Sequence, residues 1–263
     1  MNATEKRMLD ILKKLKEKYG VLAIKAEFEA EGSRTDELVM LNEVVFRADM
    51  ELFIKIGGCE ALRDLDQCRI LGASGIMAPM IETPFAMKKF TDAGHKVYAE
   101  QVNDIEWIIN TETVTCHQNL DQILGGGRGF LNTIAIGRVD YAASMGLGRK
   151  EINSSVILAQ SIDIAKKGRE YGYRVGIGGG ISIDAIPFLQ EMYAYIDKFE
   201  TRKVVFTASA DEGLLRNGIT CAMEFEMLYL RNKCEYYDRM AKEDLNRLEM
   251  LEARLHKAQE LAK

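Results

Sequence analysis

The sequence predicts an α/β protein of the (β/α)8 barrel class, the TIM-type barrel. Two observations lead to this prediction. Short apolar runs alternate with amphipathic segments of helical period along most of the chain, and repeated strand–helix units of this kind form a parallel sheet. So many units in a chain of 263 residues favour closure into a barrel over an open sheet. One of the eight strands is expected to be irregular or missing.

The apolar runs give the strands in chain order. They are 21–29, 51–58, 75–82, 131–140, 173–180 and 202–209, with 96–102 and 105–112 as one irregular strand or two. The helices predicted around them are 4–18, 35–48, 60–72, 84–94, 113–124, 151–171 and 182–195. The helix at 84–94 opens with Pro84 and closes with Gly94, an asymmetry that supports both of its ends.

The chain after the last predicted strand has a different pattern. From about 212 to 263, apolar residues recur at spacings of three and four, from Met227 to Ala258, which predicts one long helix or two. This segment is longer than the last helix of a barrel needs, and its outer positions are strongly charged. We therefore expect a barrel domain, 1–218, and a C-terminal helical extension, 219–263, that joins copies of the chain into a homo-oligomer. Packing of the extension on its own barrel is the alternative.

Composition excludes several classes of protein. Hydrophobic residues make up 47% of the chain and charged residues 29%, which is typical of a globular protein. The net charge of −5 and the interspersed signs give no basic face for nucleic acid. The N-terminus is amphipathic, and no apolar run is long enough to span a bilayer. We expect a cytoplasmic protein with neither a nucleic-acid nor a membrane partner.

Charged side chains recur where the predicted strands end. They are Lys25, Glu27, Glu29, Lys55, Glu82, Glu112 and Asp140. Enzymes with this fold carry their chemistry at the C-terminal ends of the strands, so these residues predict a polar site at that rim. Carboxylates converging with lysine serve as general acids and bases, or they hold a hard divalent ion such as Mg²⁺ or Mn²⁺. The three histidines, His95, His117 and His256, are expected to be surface or packing residues.

Glycines at two strand ends predict contacts with a substrate. The run GIGGG (176–180) ends a strand at the rim, where a missing Cβ lets a ligand approach the backbone. In the segment IGRVD, glycine keeps the backbone beside the aspartate open, and the arginine either pairs locally or faces a substrate carboxylate. The expected substrate contacts are Gly137, Arg138, Val139, Gly178 and Gly179.

Four segments carry a family resemblance. They are GASGIMAPMIETPFAM (72–87), WIINTETVTCHQNLDQIL (107–124), IAIGRVDYAASMG (134–146) and KVVFTASADEGLLRNG (203–218). In this order and at this spacing they resemble strand–helix junctions of the HpcH/HpaI aldolase and citrate lyase β-subunit family, over about residues 50 to 218. The resemblance implies a (β/α)8 barrel enzyme that makes or breaks a carbon–carbon bond beside the enolate of a pyruvate-like 2-oxo acid.

The same resemblance implies roles for individual residues. Glu112 and Asp140 take the places of the family's protein ligands to Mg²⁺ or Mn²⁺, and Lys55 is the nearest cation to the 2-oxo group. The family's "E-H" histidine is absent and Lys55 stands where an arginine is expected, so Glu27 or Glu29 is assigned as the catalytic base. The alternatives are an acyl-CoA lyase like citrate lyase, and a non-catalytic oxo-acid-binding or assembly protein on the same barrel.

Overall fold

The structure, a computed structural model, describes residues 1–261, so residues 262 and 263 of the predicted extension lie outside the described chain. Eight strands form a closed barrel in the order of the sequence, as predicted. The strands are β1 (Val21–Glu27), β2 (Glu51–Lys55), β3 (Gly75–Ala78), β4 (Glu106–Thr111), β5 (Thr133–Gly137), β6 (Arg174–Gly178), β7 (Lys198–Glu200) and β8 (Val204–Thr207).

Helices pack around the outside of the barrel and bury their apolar faces against it. They are α1 (Ala3–Tyr19), α2 (Thr35–Arg47), α3 (Leu62–Ile70), α4 (Pro84–Tyr98), α5 (Val114–Gln118), α6 (Leu120–Gly126), α7 (Arg138–Ser144), α8 (Ser155–Glu170), α9 (Ile186–Met192) and α10 (Glu212–Leu261). Short 3₁₀ turns occupy 99–104, 149–151, 183–185 and 193–195. Side chains inside the barrel, among them Phe53, Met77 and Ile108, fill its lower half.

The last two strands differ from the prediction. The segment predicted as one strand at 202–209 is part of a hairpin, in which β8 runs antiparallel to both β7 and β1. The Thr201 N–H donates to the Val204 carbonyl at 2.9 Å, which leaves only Arg202 and Lys203 between the paired residues. A parallel crossover needs a dozen residues or more, so a connection this short reverses the chain direction.

The predicted strand at 96–102 was wrong. The helix α4 continues through Gly94 to Tyr98, and a 3₁₀ turn follows it. Gly94 does not end the helix, because its role is in packing. A Cβ at Gly94 would lie 2.6 Å from the Phe130 ring and 3.0 Å from the Trp107 ring, so the missing side chain lets α4 approach the barrel closely. The neighbouring prediction at 105–112 corresponds to β4.

The direction of β8 determines where α10 runs. Because β8 ends at the base of the barrel, α10 begins there, with Gly218 against Tyr19. The helix then rises beside α1 to the opposite rim, where the Tyr237 hydroxyl donates a hydrogen bond to Glu37 at the start of α2. It is continuous across 218 and 219, and its buried face extends as far as Asn232, which hydrogen-bonds to Asn2 and Glu5. The long helix is confirmed, whereas the domain boundary stays a prediction.

Beyond the rim, α10 leaves the barrel. Residues 238–256 are all exposed, and the segment from 238 to 261 extends for about 36 Å at the helical rise.

Over residues 1–261, none of the helices combines the length and apolar character that a bilayer crossing needs.

The proximal part of α10 is expected to be essential to the barrel. Phe225 is 0% exposed and Met227 is 43% exposed on the same helix. Phe225→Ala should lower the free energy of unfolding by about 3–5 kcal/mol, since it leaves a cavity, and Met227→Ala by about 0.5 kcal/mol or less. Urea unfolding followed by circular dichroism measures both changes. Equal effects of the two substitutions would contradict the packing of this helix on the barrel.

Candidate active site

A pocket of about 1210 Å³ opens at the rim where the parallel strands end. The end of each of the first seven strands contributes to it, through Glu27, Lys55, Met80, Glu112, Gly137, Gly178 and Glu200. One wall belongs to α10, which reaches the pocket with Tyr229 and Leu230. This is the catalytic face of a barrel, so the predicted polar site lies at the predicted rim.

Two glycines create the space for two carboxylates in this pocket. Gly137 on β5 and Gly178 on β6 are partners in register. A Cβ at Gly137 would lie 2.8 Å from Glu112 Oε2, and one at Gly178 would lie 2.9 Å from Glu200 Oε1. Contacts this short do not occur, so any larger residue at either position would displace a carboxylate.

Glu112 is the most buried acid of the site, with 2% of its surface exposed. Its Oε2 accepts a hydrogen bond from Asn110 Nδ2 at 2.7 Å, and its Oε1 accepts one from the Met80 N–H at 3.1 Å. Met80 has a φ of 51°, a conformation that costs a non-glycine residue about 1 kcal/mol or more. Strained backbone therefore holds a donor on Glu112.

The pKa of Glu112 is raised by burial, which outweighs the stabilising effects of Lys55, Asn110 and the Met80 N–H. The charge of Asp140 raises it further. The structure thus brings the two predicted ligands within electrostatic reach of each other. Asp140 lies in the first turn of α7 and not on a strand as predicted, because β5 ends at Gly137.

Two lysines inside the rim neutralise its acids. Lys55 Nζ lies 2.7 Å from Glu29 Oε2 and 3.7 Å from Glu112 Oε2. Burial opposes the charge of Lys55, but the carboxylates of Glu112, Glu29 and Glu27 outweigh it and raise the lysine's pKa. Lys55 is therefore cationic at neutral pH. Lys25 Nζ lies 2.5 Å from Glu200 Oε1 and 3.7 Å from Glu27 Oε1.

Four of the five predicted substrate contacts, Gly137, Val139, Gly178 and Gly179, line the pocket. Gly179 has a φ of 79°, and a Cβ there would lie 2.7 Å from the Arg138 backbone nitrogen. Both constraints require glycine, since the β6 loop packs directly on the first turn of α7.

Arg138 is the fifth, and the structure places it behind the pocket wall. Its side chain is fully buried and donates hydrogen bonds to the carbonyls of Gly178 and Gly179 at 3.1 and 2.9 Å and to Asn153 Oδ1 at 2.6 Å. Its guanidinium also lies over the Phe188 ring. Burial lowers the pKa of Arg138 to about 10. Arg138 therefore fixes the β6 loop and does not face a substrate.

Other residues singled out in the sequence lie elsewhere. Glu82 accepts a hydrogen bond from the Thr113 hydroxyl at 2.7 Å outside the pocket lining. His95 packs on Phe130, and His117 hydrogen-bonds to Tyr141 and Asp163. None of the described residues that line the pocket is a histidine.

Sequence reasoning missed the charges of the β7–β8 hairpin. Glu200, Arg202 and Lys203 all line the pocket. Lys203 pairs with Glu31 and lies over the Tyr229 ring, and burial lowers the pKa of this lysine. In the sequence, the charged run ETRK between two apolar segments indicates a turn. Its position at the rim follows only from the hairpin.

The residues present fit a divalent cation. Two carboxylates, one of them buried with a raised pKa, are a donor set that a cation would neutralise. The described chain contains no cluster of three or more His, Cys, Asp or Glu able to hold a metal by itself. Mg²⁺ commonly takes one or two protein carboxylates and fills the rest of its coordination sphere with water and substrate, so Glu112 and Asp140 are sufficient.

Comparison with known proteins identifies the family. The family model for HpcH/HpaI aldolase/citrate lyase matches residues 31–175, more than half of the chain. The chain belongs to this family. The resemblance predicted from the sequence is confirmed, and membership indicates a lyase of the aldolase or citrate lyase type. Aldolases of the family generally depend on a divalent metal.

Solved structures share the fold at low sequence identity. The citrate synthase SbnG aligns with a TM-score of 0.60 at 14% identity, over 84% of this chain and 89% of that one. The HpcH/HpaI aldolase from Desulfitobacterium hafniense DCB-2 aligns at 0.60 and 15%, over 73% and 82%. A family protein from Burkholderia cenocepacia J2315 aligns at 0.58 and 15%, over 86% and 100%. No curated protein matches significantly by sequence.

The glycine pair is expected to control the site through Glu112. In Gly137→Ala the new methyl group would overlap Glu112, while the backbone φ of −94° suits alanine. We expect a folded protein whose affinity for Mn²⁺, measured by calorimetry, falls about 10-fold or more. Gly58→Ala is the control, since nothing lies within 4 Å of its Cβ position. Unchanged Mn²⁺ affinity in Gly137→Ala would contradict the placement of Glu112.

Proposed function

We propose that this protein is a divalent-metal-dependent aldolase or related carbon–carbon lyase, with Mg²⁺ or Mn²⁺ held by Glu112 and Asp140 and a 2-oxo acid as substrate. The observation that carries the proposal is Glu112 itself. A carboxylate that is 2% exposed, with a pKa raised by burial and by Asp140, lies at the catalytic rim beside a lysine. A buried carboxylate of this kind lowers the stability of the protein unless a bound ligand compensates its charge.

The chain's own groups suit enolate chemistry. A bound divalent ion would act as a Lewis acid toward the 2-oxo group. The Lys55 ammonium beside Glu112 adds positive charge where an enolate oxygen develops. A proton acceptor must come from the acids that surround the pocket, of which Glu27 and Glu29 are the two that the sequence nominates.

Most of the basic side chains that line the pocket are paired with acids of the same chain. Among the described residues, Lys25, Lys55, Arg202, Lys203 and Lys233 all pair with glutamates. The phosphates of coenzyme A need uncommitted basic groups. Over the described part of the chain, Arg149 and Lys150 line the pocket as exposed residues without an ion pair, so an acyl-CoA lyase is the second candidate function. A pure assembly role would give the buried charges no function, since apolar residues of similar volume are often more stable.

The proposal is tested by pyruvate release from 2-oxo-4-hydroxy acids, measured with and without Mg²⁺ or Mn²⁺. Activity should require the metal, because the enolate needs its charge. Glu112→Gln and Asp140→Asn should each weaken metal affinity by more than about 100-fold, beyond the loss of an outer-shell partner.

Glu82→Gln is the control, because Glu82 is a carboxylate of the same rim outside the pocket lining. Metal-independent pyruvate release would leave the metal role without support. No pyruvate release from any such acid, together with no metal-dependent pyruvate binding, would refute the proposal.

We further propose that the exposed part of α10 joins two copies of this chain. Leu248, Leu251 and Leu255 lie on one stripe at spacings of three and four, and each is about half exposed. Arg247 and Glu252 flank this stripe at positions that bring opposite charges together in a parallel pair of helices. An apolar stripe of this spacing with flanking charges is typical of a helix that packs on another helix, so a second copy of the same stripe is the partner that fits it.

Self-association should depend on this stripe. In Leu248→Lys/Leu251→Lys the buried charges would separate the helices, and light scattering after size exclusion should show a smaller assembly with an unchanged melting curve for the barrel. Met250→Lys is the matched control, since Met250 is similarly exposed on another face of α10. The same mass for all three proteins would contradict the interface.

A further inference from the structure

We infer that Glu200 is the catalytic residue that transfers the proton in the proposed lyase reaction. The inference rests on the proposed function and names a group of the same pocket that the family resemblance did not supply. Glu200 ends β7 and lies inside the barrel, where Gly178 makes room for it. Its position on a strand fixes it more precisely than a loop would.

Glu200 faces the same small volume as Glu112. Each carboxylate lies over one glycine of the pair Gly137 and Gly178, and these glycines are register partners on adjacent strands. Neighbouring strands are about 4.8 Å apart, so the two carboxylates are within about 11 Å of each other. A 2-oxo acid bound at Glu112 can therefore extend its fourth carbon toward Glu200.

The hydrogen bonding of Glu200 leaves one oxygen for a substrate. Oε1 accepts a hydrogen bond from Lys25 Nζ, which anchors the side chain. Over the described part of the chain, Oε2 has no hydrogen bond or ion pair. An ionised carboxylate with one anchored and one open oxygen is suited to accept a proton.

The other bases of the pocket suit this role less well. Both oxygens of Glu27 face a cation, with Oε1 3.7 Å from Lys25 and Oε2 3.7 Å from Arg202. Glu29 lies in the loop after β1, is more exposed than Glu200 (26% against 12%) and is bound to Lys55. Lys55 stays protonated among its carboxylates. Of these three acids, Glu200 is the one that combines an open oxygen with a position on a strand and low exposure.

The step balances without a further reactant. Glu200 Oε2 takes the proton of the C4 hydroxyl, the O–H electron pair forms the C4 carbonyl, and the C3–C4 bond breaks. Its electron pair becomes the C2–C3 double bond of the enolate, with the negative charge on the C2 oxygen. The Glu200 carboxyl then gives the proton to C3, which yields pyruvate and restores the carboxylate. The net change moves one proton from oxygen to C3.

The test follows exchange of the pyruvate methyl protons in D₂O by NMR, with full-length protein and Mg²⁺. In parallel, calorimetry measures the affinity for oxalate, which needs no proton transfer. Glu200→Gln should slow exchange by about 10²–10⁴-fold and leave oxalate affinity within about threefold. Glu200→Asp, which retains the carboxylate on a shorter side chain, should exchange at an intermediate rate and serves if Glu200→Gln does not fold.

Glu106→Gln is the matched control, because Glu106 forms a buried ion pair with Lys198 at the base of the barrel. It should reduce stability without slowing exchange. Exchange at the wild-type rate in Glu200→Gln, or in Glu200→Asp if only that variant folds, would overturn the inference. Loss of oxalate affinity together with exchange would also overturn it, since it would show a binding role. Wild-type protein that neither exchanges nor binds oxalate would refute the proposed function itself.

Discussion

Inside the rim of the barrel, Gly137 and Gly178 lie opposite each other on β5 and β6, and the space that their missing side chains leave is filled by Glu112 and Glu200. Two charges in that position are costly unless cations accompany them, and Lys55 and Lys25 do so from β2 and β1. The pocket is thus an array of compensated charges, and the alignment of its groups depends on these two glycines. A divalent ion would offset the excess negative charge around Glu112.

The antiparallel β8 shapes the other side of the pocket. A parallel last strand would end at the catalytic rim and send its helix down the barrel. Because β8 ends at the base, α10 rises to the rim, where Tyr229 and Leu230 form a pocket wall, and then continues past it. The short turn between β7 and β8 therefore determines the direction of α10, which forms one wall of the pocket and supplies the exposed helix.

Periodicity and strand-end charges were enough to predict the barrel and its polar rim. The family resemblance supplied Glu112 and Asp140 as a pair of metal ligands, which stays a prediction. The β7–β8 hairpin escaped prediction because strands of three and four residues carry too little pattern. Arg138 was misplaced because only packing shows that the carbonyls of Gly178 and Gly179 take its donors. Glu200 was not predicted because its proposed role follows from its contacts with Lys25 and Gly178, which are distant from it in sequence.

The most direct measurement is a crystal structure of the protein with Mn²⁺ and oxalate, an analogue of the pyruvate enolate, using the anomalous signal of manganese. We expect one manganese peak between the carboxylates of Glu112 and Asp140, with oxalate bound on the side of Lys55. A manganese peak elsewhere in the pocket, or oxalate bound with no manganese at these two carboxylates, would contradict this expectation.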